Sequence, residues 1–161
     1  MGICGEKGGF VFLGVNTLSL DTKGRLAIPV KYRKELGADG SSLVVTVNPR
    51  DRCLWLYPER EWLPVVQKVS RLSSFKPEHK NLQRLLIGYA EEVQLDGQGR
   101  ILLSKSLRDY AGMSKQVALV GQGFKFEIWD ADAWFKGQEE WLEAFRNPES
   151  GLSEELANLA L

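Results

Sequence analysis

Apolar and polar residues alternate over residues 15–20, and the alternation stops at Asp21-Thr-Lys-Gly24. An aspartate there can bond its own backbone two residues on, and a glycine tolerates positive φ. The pattern predicts a strand and a hairpin turn. Leu26-Ala27-Ile28 returns as a short strand, Pro29 presets the first helical φ, and Val30 to Leu36 makes two helical turns closed by Gly37. Ser42–Asn48 and Cys53–Tyr57 are rich in β-branched and aromatic residues and predict a second hairpin across Pro49-Arg-Asp-Arg52. Pro58 opens a helix expected to be interrupted near Pro64, and Ser70–Pro77 reads as a polar linker. Glu78–Ile87 reads as a helix with Leu82, Leu85 and Leu86 on one face.

The same order of elements then returns. Glu91–Leu95, Arg100–Leu103, Lys105–Ala111 closed by Gly112, Gln116–Gly121 and Phe124–Trp129 repeat it, and Asp130 caps a long final helix. The echo is literal: Asp21-Thr-Lys-Gly-Arg25-Leu-Ala-Ile-Pro29 recurs seventy-five positions later as Asp96-Gly-Gln-Gly-Arg100-Ile-Leu-Leu-Ser104. Each copy is too small to bury a core and would leave strand edges open, so the two are expected to pair into one closed β structure about a pseudo-dyad. That symmetry sets Arg25 and Arg100 at related places. The expected organisation is an extension over 1–11 without ordered structure, a first repeat at 12–76, a linker helix at 77–88, a second repeat at 89–146 and a helical tail at 147–161. The two repeats form one compact domain. Ser153–Leu161, Leu-rich and amphipathic, is expected to dock on the body or on a neighbour.

Composition narrows the function. At 161 residues, with 43% apolar residues and five Trp, the chain can build a core. Cys4 and Cys53 make no CxxC or other metal spacing and point to a reduced, cytoplasmic protein. Apolar runs such as Phe10-Val-Phe-Leu13 are far short of a membrane span. Net charge is zero, yet its distribution is polar along the chain. Lys23, Arg25, Lys31, Arg33 and Lys34 face a single acid between residues 21 and 34, whereas Glu139, Glu140, Glu143, Glu149, Glu154 and Glu155 face only Arg146 near the end.

Candidate chemistry centres on the repeated turn. Asp21, Gly24, Asp96 and Gly99 are assigned to shaping it, and an Asp–Arg pair bracing a solvated loop would explain a single copy equally well. Arg25 and Arg100 have a sharper use, because a planar fork can bond O6 and N7 of guanine or clamp a phosphate. Lys23 adds a phosphate contact that Gln98 imitates only in part, so the first repeat is expected to bind harder. Arg33 joins these candidates for DNA contact, although Lys31, Arg33, Lys34 and Arg108 also fit the wet face of a helix. No catalytic residue, metal site or cofactor is expected. His79 stands without ligand partners, and Gly97-Gln-Gly99 and Gly121-Gln-Gly123 lack the third glycine and helix of a nucleotide loop. Trp62 and Trp134 occupy equivalent positions and read as core.

These residues carry a family likeness. Phe12-x-Gly14 ahead of Leu20-Asp-x-Lys-Gly-Arg-Leu-x-Ile-Pro29, Cys53-Leu-x-Leu-Tyr-Pro58 with Glu61-Trp62, Leu95-Asp-x-x-Gly-Arg-Ile-Leu-Leu103, Leu107-Arg-x-Tyr-Ala-Gly112 and Phe126-Glu-Ile-Trp-Asp130 resemble the MraZ family of bacterial regulators. The resemblance runs from about Phe12 to the end. It implies an α+β, mainly β fold: two tandem β-hairpin/helix repeats forming an AbrB-like swapped-hairpin, or double-split, β-barrel with peripheral helices. It also implies a ring-shaped homo-oligomer that binds short G-containing direct repeats in promoters of the division and cell-wall gene cluster. The family's Asp-x-x-x-Arg signature falls on Asp21 to Arg25 and Asp96 to Arg100. Ser104 stands where the second motif often has Pro, and supplies an N-cap instead. Residues 1–10 precede the usual family start, and native translation is expected to begin at Val11.

The expectation is therefore a sequence-specific, nucleoid-associated repressor acting on double-stranded DNA, not an enzyme, with no membrane partner and no small-molecule substrate. The alternative is an oligomeric protein-interaction scaffold that binds no DNA.

Overall fold

A computed structural model of the chain describes residues 3–4, 10–37, 40–147 and 153–161. The strands are β1 (Ile3–Cys4), β2 (Phe10–Val11), β3 (Val15–Ser19), β4 (Arg25–Ala27), β5 (Leu43–Val47), β6 (Leu54–Pro58), β7 (Glu91–Val93), β8 (Arg100–Leu102), β9 (Gln116–Gly121) and β10 (Phe126–Asp130). The helices are α1 (Val30–Arg33), α2 (Glu59–Ser70), α3 (Pro77–Leu82), α4 (Lys105–Tyr110), α5 (Ala131–Arg146) and α6 (Glu154–Ala157), and a π-helical turn over Gln83–Ile87 follows α3. Ile3–Cys4 pairs with Phe10–Val11, in a leader where the sequence offered no element; residues 1, 2 and 5–9 lie outside the described part.

Every described strand pair is antiparallel. The main sheet has six strands in the order β3-β9-β10-β6-β5-β7, so hairpins from both repeats meet where β10 pairs with β6. It is open, and the expected closed barrel is corrected. The strands that could have bridged its edges turn away at Asp21–Gly24 and Asp96–Gly99, and β4 and β8 then form a ladder with each other outside the six-stranded sheet, with one further bridge from Leu26 to Leu20. This separate ladder covers the core. Leu26, Ile28, Ile101 and Leu103 point inward with no exposed surface, and they meet Phe12, Val45, Leu54, Leu119, Phe126 and Ile128 in one apolar cluster. Each such side chain stabilises the fold by about 1.5–3 kcal/mol through burial.

Two helices differ from the sequence expectation for local reasons. The α2 helix runs straight through Pro64, which lies on its exposed side, where water can bond the carbonyl that proline leaves unpaired; Trp62 and Val69 hold the opposite face. The single helix expected over Glu78–Ile87 changes pitch at Gln83. Buried Thr46 donates its hydroxyl to the Leu86 carbonyl at 2.6 Å, and the Gln83 side-chain amide donates to the Val69 and Leu72 carbonyls, so both ends of the turn are held from outside. Gly88 closes it, because a Cβ there would lie 2.1 Å from the Arg84 carbonyl oxygen. Finally, every residue of Ser153–Leu161 is exposed, so the tail is not docked on its own body. Among the described residues no helix is long and apolar enough to cross a membrane.

Candidate nucleic-acid interface

The two repeated turns are built alike. Asp21 Oδ1 accepts the backbone N–H of Lys23 and of Arg25, both at 2.9 Å, and Oδ2 accepts Arg25 Nε at 2.6 Å. Asp96 repeats this, taking the N–H groups of Gln98 and Arg100 at 2.9 Å and Arg100 Nε at 2.8 Å. Gly24 and Gly99 adopt φ of +83° and +74°, which side-chain-bearing residues rarely reach. The Arg25 backbone N–H, with its guanidinium and the Lys23 N–H in support, outweighs partial desolvation and holds the Asp21 carboxyl down at about 2. Asp96 is lowered as well, chiefly by the Arg100 backbone N–H.

The turns are not independent fingers. Ile28 N–H donates to the Gly99 carbonyl and Leu103 N–H to the Gly24 carbonyl, each at 2.9 Å, so each arm ends against the other repeat's turn. In the β4–β8 register Leu26 faces Ile101, Arg25 faces Leu102 and Ala27 faces Arg100. Because side chains alternate between faces, burying Leu26 and Ile101 puts Arg25, Ala27, Arg100 and Leu102 together on the outer face. The two arginines are diagonal neighbours there, and Arg100 Nη1 comes within 3.8 Å of Asp21 Oδ2. Their side chains keep 31% and 26% of their surface open. Each Nε is spent on an aspartate, while of the terminal nitrogens, the edge a fork uses for paired acceptors, Arg100 Nη1 alone has an acid within 4 Å among the described residues, Asp21 at 3.8 Å.

A family model described as "MraZ protein" matches twice, over residues 11–85 and 86–154, the two repeats that exchange arms in the ladder. The chain belongs to the MraZ family. It is 47% identical over 152 residues to the transcriptional regulator MraZ of Halorhodospira halophila and 43% identical to those of Yersinia pseudotuberculosis and Yersinia pestis. Each comparison covers 94% of this chain and the whole of the relative. The family is one of transcriptional regulators, not of enzymes.

The remaining candidates spread around the ladder. Lys23 and Gln98 stand exposed at the turn tips, at opposite ends of the β4–β8 ladder. Arg33 lies behind the face: its Nε donates to the Ile28 carbonyl at 2.7 Å, and its guanidinium rests on Gly99. Arg108 mirrors it, with Nε on the Leu103 carbonyl at 3.0 Å and its plane on Gly24. The helix positions read as a wet face thus carry a pair of braces, each joining one repeat's helix to the other repeat's turn. Leu102, 53% exposed between the arginines, escaped the sequence reading; the alternation Arg100-Ile-Leu-Leu103 was the signal, once Ile101 is known to point inward.

The aromatic residues take no part in this face. Trp62 is core, Trp129, Trp134 and Trp141 pack on one another, and Glu127 accepts the indole N–H of Trp55 and of Trp129. Burial pushes the Cys53 thiol far up from its ordinary range, which disfavours the thiolate. No group of three or more His, Cys, Asp and Glu residues is placed to hold a metal ion among the described residues.

Proposed function

We propose that the chain is a sequence-specific DNA-binding regulator in which the outer face of the β4–β8 ladder enters the major groove. The observation that supports it is the convergence of Arg25 and Arg100 on one outward face, each aimed by its own aspartate and by the opposite repeat. A guanidinium with Nε already held presents its two terminal nitrogens in the spacing of guanine O6 and N7. Lys23 contacts phosphate, Gln98 contacts it more weakly, and Arg33 steadies the second turn from behind. The protein works in the cytoplasm on the nucleoid, as a repressor of division and cell-wall genes through direct repeats in their promoters.

One ladder offers few base contacts, so specific affinity comes from several protomers of a ring engaging successive repeats, where tethering raises effective concentration. Apolar surface is available for assembly. Phe135, Leu142 and Phe145 on α5 and Leu13 and Val15 beside the free edge of β3 are about half exposed or more, and a second copy would cover them.

The test is a gel shift of purified protein with its own upstream DNA across salt concentrations. Wild type shifts that DNA with affinity that falls steeply as salt rises. Arg25→Ala abolishes the shift, and Arg100→Ala weakens it less. Salt-independent binding, or a normal shift by Arg25→Ala, refutes the reading, and an assembled ring that leaves the upstream DNA unprotected favours the scaffold alternative.

A further inference from the structure

The Leu26–Ile101 pair sits at the centre of a near-symmetric face, and a symmetric face would hold the phosphates on its two flanks equally. Resting on the DNA-binding reading, we propose that the cleft beside the first turn is a seat for a backbone phosphate, that its twin beside the second turn is not, and that the tightly held phosphates therefore lie on one flank of each bound repeat.

The clefts are similar in size, about 350 Å³ and 360 Å³. Arg108 lines the first and Arg33 the second, each held at Nε by a backbone carbonyl. What differs is the lysines. Lys115 lines the first cleft. Leu18 faces Val117 and its repeat mate Val93 faces Leu43, so the place of Lys115, two residues back from Val117, is taken in the second repeat by Ser41. At the turn tips Lys23 is matched by Gln98, and Thr22, which lines the first cleft, by Gly97.

The acids and the other cations leave this contrast standing. Asp21, in the first cleft, is held by Arg25 at 2.6 Å and reached by Arg100 at 3.8 Å, whereas Asp96, in the second, has Arg100 alone among the described residues. Lys31 sits over the Tyr32 ring, Lys105 is paired with Asp109 at 2.7 Å, and Lys34 lines a separate cleft with Glu35, Glu59 and Arg60. Two exposed lysines therefore favour one end of the face. Each phosphate contact adds about fivefold to affinity near 0.15 M salt, so the two together strengthen binding by about twenty-five-fold through that one end.

The experiment replaces single phosphates of the bound upstream DNA by neutral methylphosphonates. Wild type loses about fivefold for substitutions on one flank of each bound repeat and nothing on the other. The Lys23→Gln, Lys115→Ser variant binds unmodified DNA about twenty-five-fold more weakly, has an unchanged melting temperature and ignores the modification. Adding Gln98→Lys and Ser41→Lys to that variant moves the sensitive phosphates to the opposite flank. Equal sensitivity on both flanks in wild type, or undiminished binding by the first variant, overturns the phosphate seat while leaving DNA binding intact. Absence of Arg25-dependent binding by the unaltered chain overturns the DNA reading itself.

Discussion

Replacing Gly99 by alanine probes the joint between the repeats. The new Cβ would lie 2.3 Å from Arg33 Nε and 2.4 Å from its Cζ, with φ at +74°. An alanine in the left-handed region costs about 1–2 kcal/mol, reduced by about 0.4–1 kcal/mol because the unfolded chain is also stiffer. The clash is relieved by swinging Arg33 out, which gives up its 2.7 Å bond to the Ile28 carbonyl, a charged bond of about 1.5–3 kcal/mol. The expected net loss is about 2–4 kcal/mol. Urea unfolding at fixed protein concentration measures it, and a double-mutant cycle with Arg33→Ala isolates the joint. With the arginine already removed, Gly99→Ala should cost no more than about 1.6 kcal/mol, the strain less the unfolded-chain gain. Additive single effects, or a Gly99→Ala loss under about 0.5 kcal/mol, would refute the claim that this helix clamps the opposite turn.

Thr46→Val keeps the shape of the side chain but strips the Leu86 carbonyl of its buried donor, so stability falls by about 1–3 kcal/mol in urea titration; a neutral result would mean that the π-helical turn holds without it. For Asp21 the folded pKa is depressed to about 2 from an ordinary 3.8, so its contribution is complete above about pH 4 and is lost as pH falls toward 2. The stability gap between wild type and Asp21→Asn should accordingly stay constant from neutral pH to about pH 5 and close between pH 4 and pH 2 in denaturant midpoints; a gap that widens on acidification contradicts the sign. Ser104→Ala removes a hydroxyl that accepts the Leu107 N–H and donates to Glu91 at 2.6 Å, lowering stability by about 0.5–2 kcal/mol, and Asp at 104, which caps but cannot donate, should recover only part.

The parts of this fold written in short-range chemistry were readable in advance. Asp21 and Asp96 capture N–H groups two and four residues on, and Gly24 and Gly99 supply the turn, all within five positions. Richness in β-branched and aromatic residues likewise located β5 and β6, and the repeated order of elements located β9 and β10. What could not be read depends on partners far along the chain. The pitch change over Gln83–Ile87 answers to Thr46, whose bond to Leu86 spans forty positions, and the bracing roles of Arg33 and Arg108 need the other repeat's glycine beside them. Closure failed as an expectation because symmetry of sequence implies paired arms without saying whether those arms join the sheet edges or each other.

The pairing of β4 with β8 also sets a timetable for the newborn chain. Leu26 emerges from the ribosome seventy-five residues before the Ile101 it must face, a delay of several seconds at about 5–20 residues per second. Throughout that interval the first half is an unfinished object, its greasy arm without a seat, and it can be sheltered but not completed. Birth of the native molecule is thus a single late event, and a stalled or truncated transcript yields no half-sized regulator.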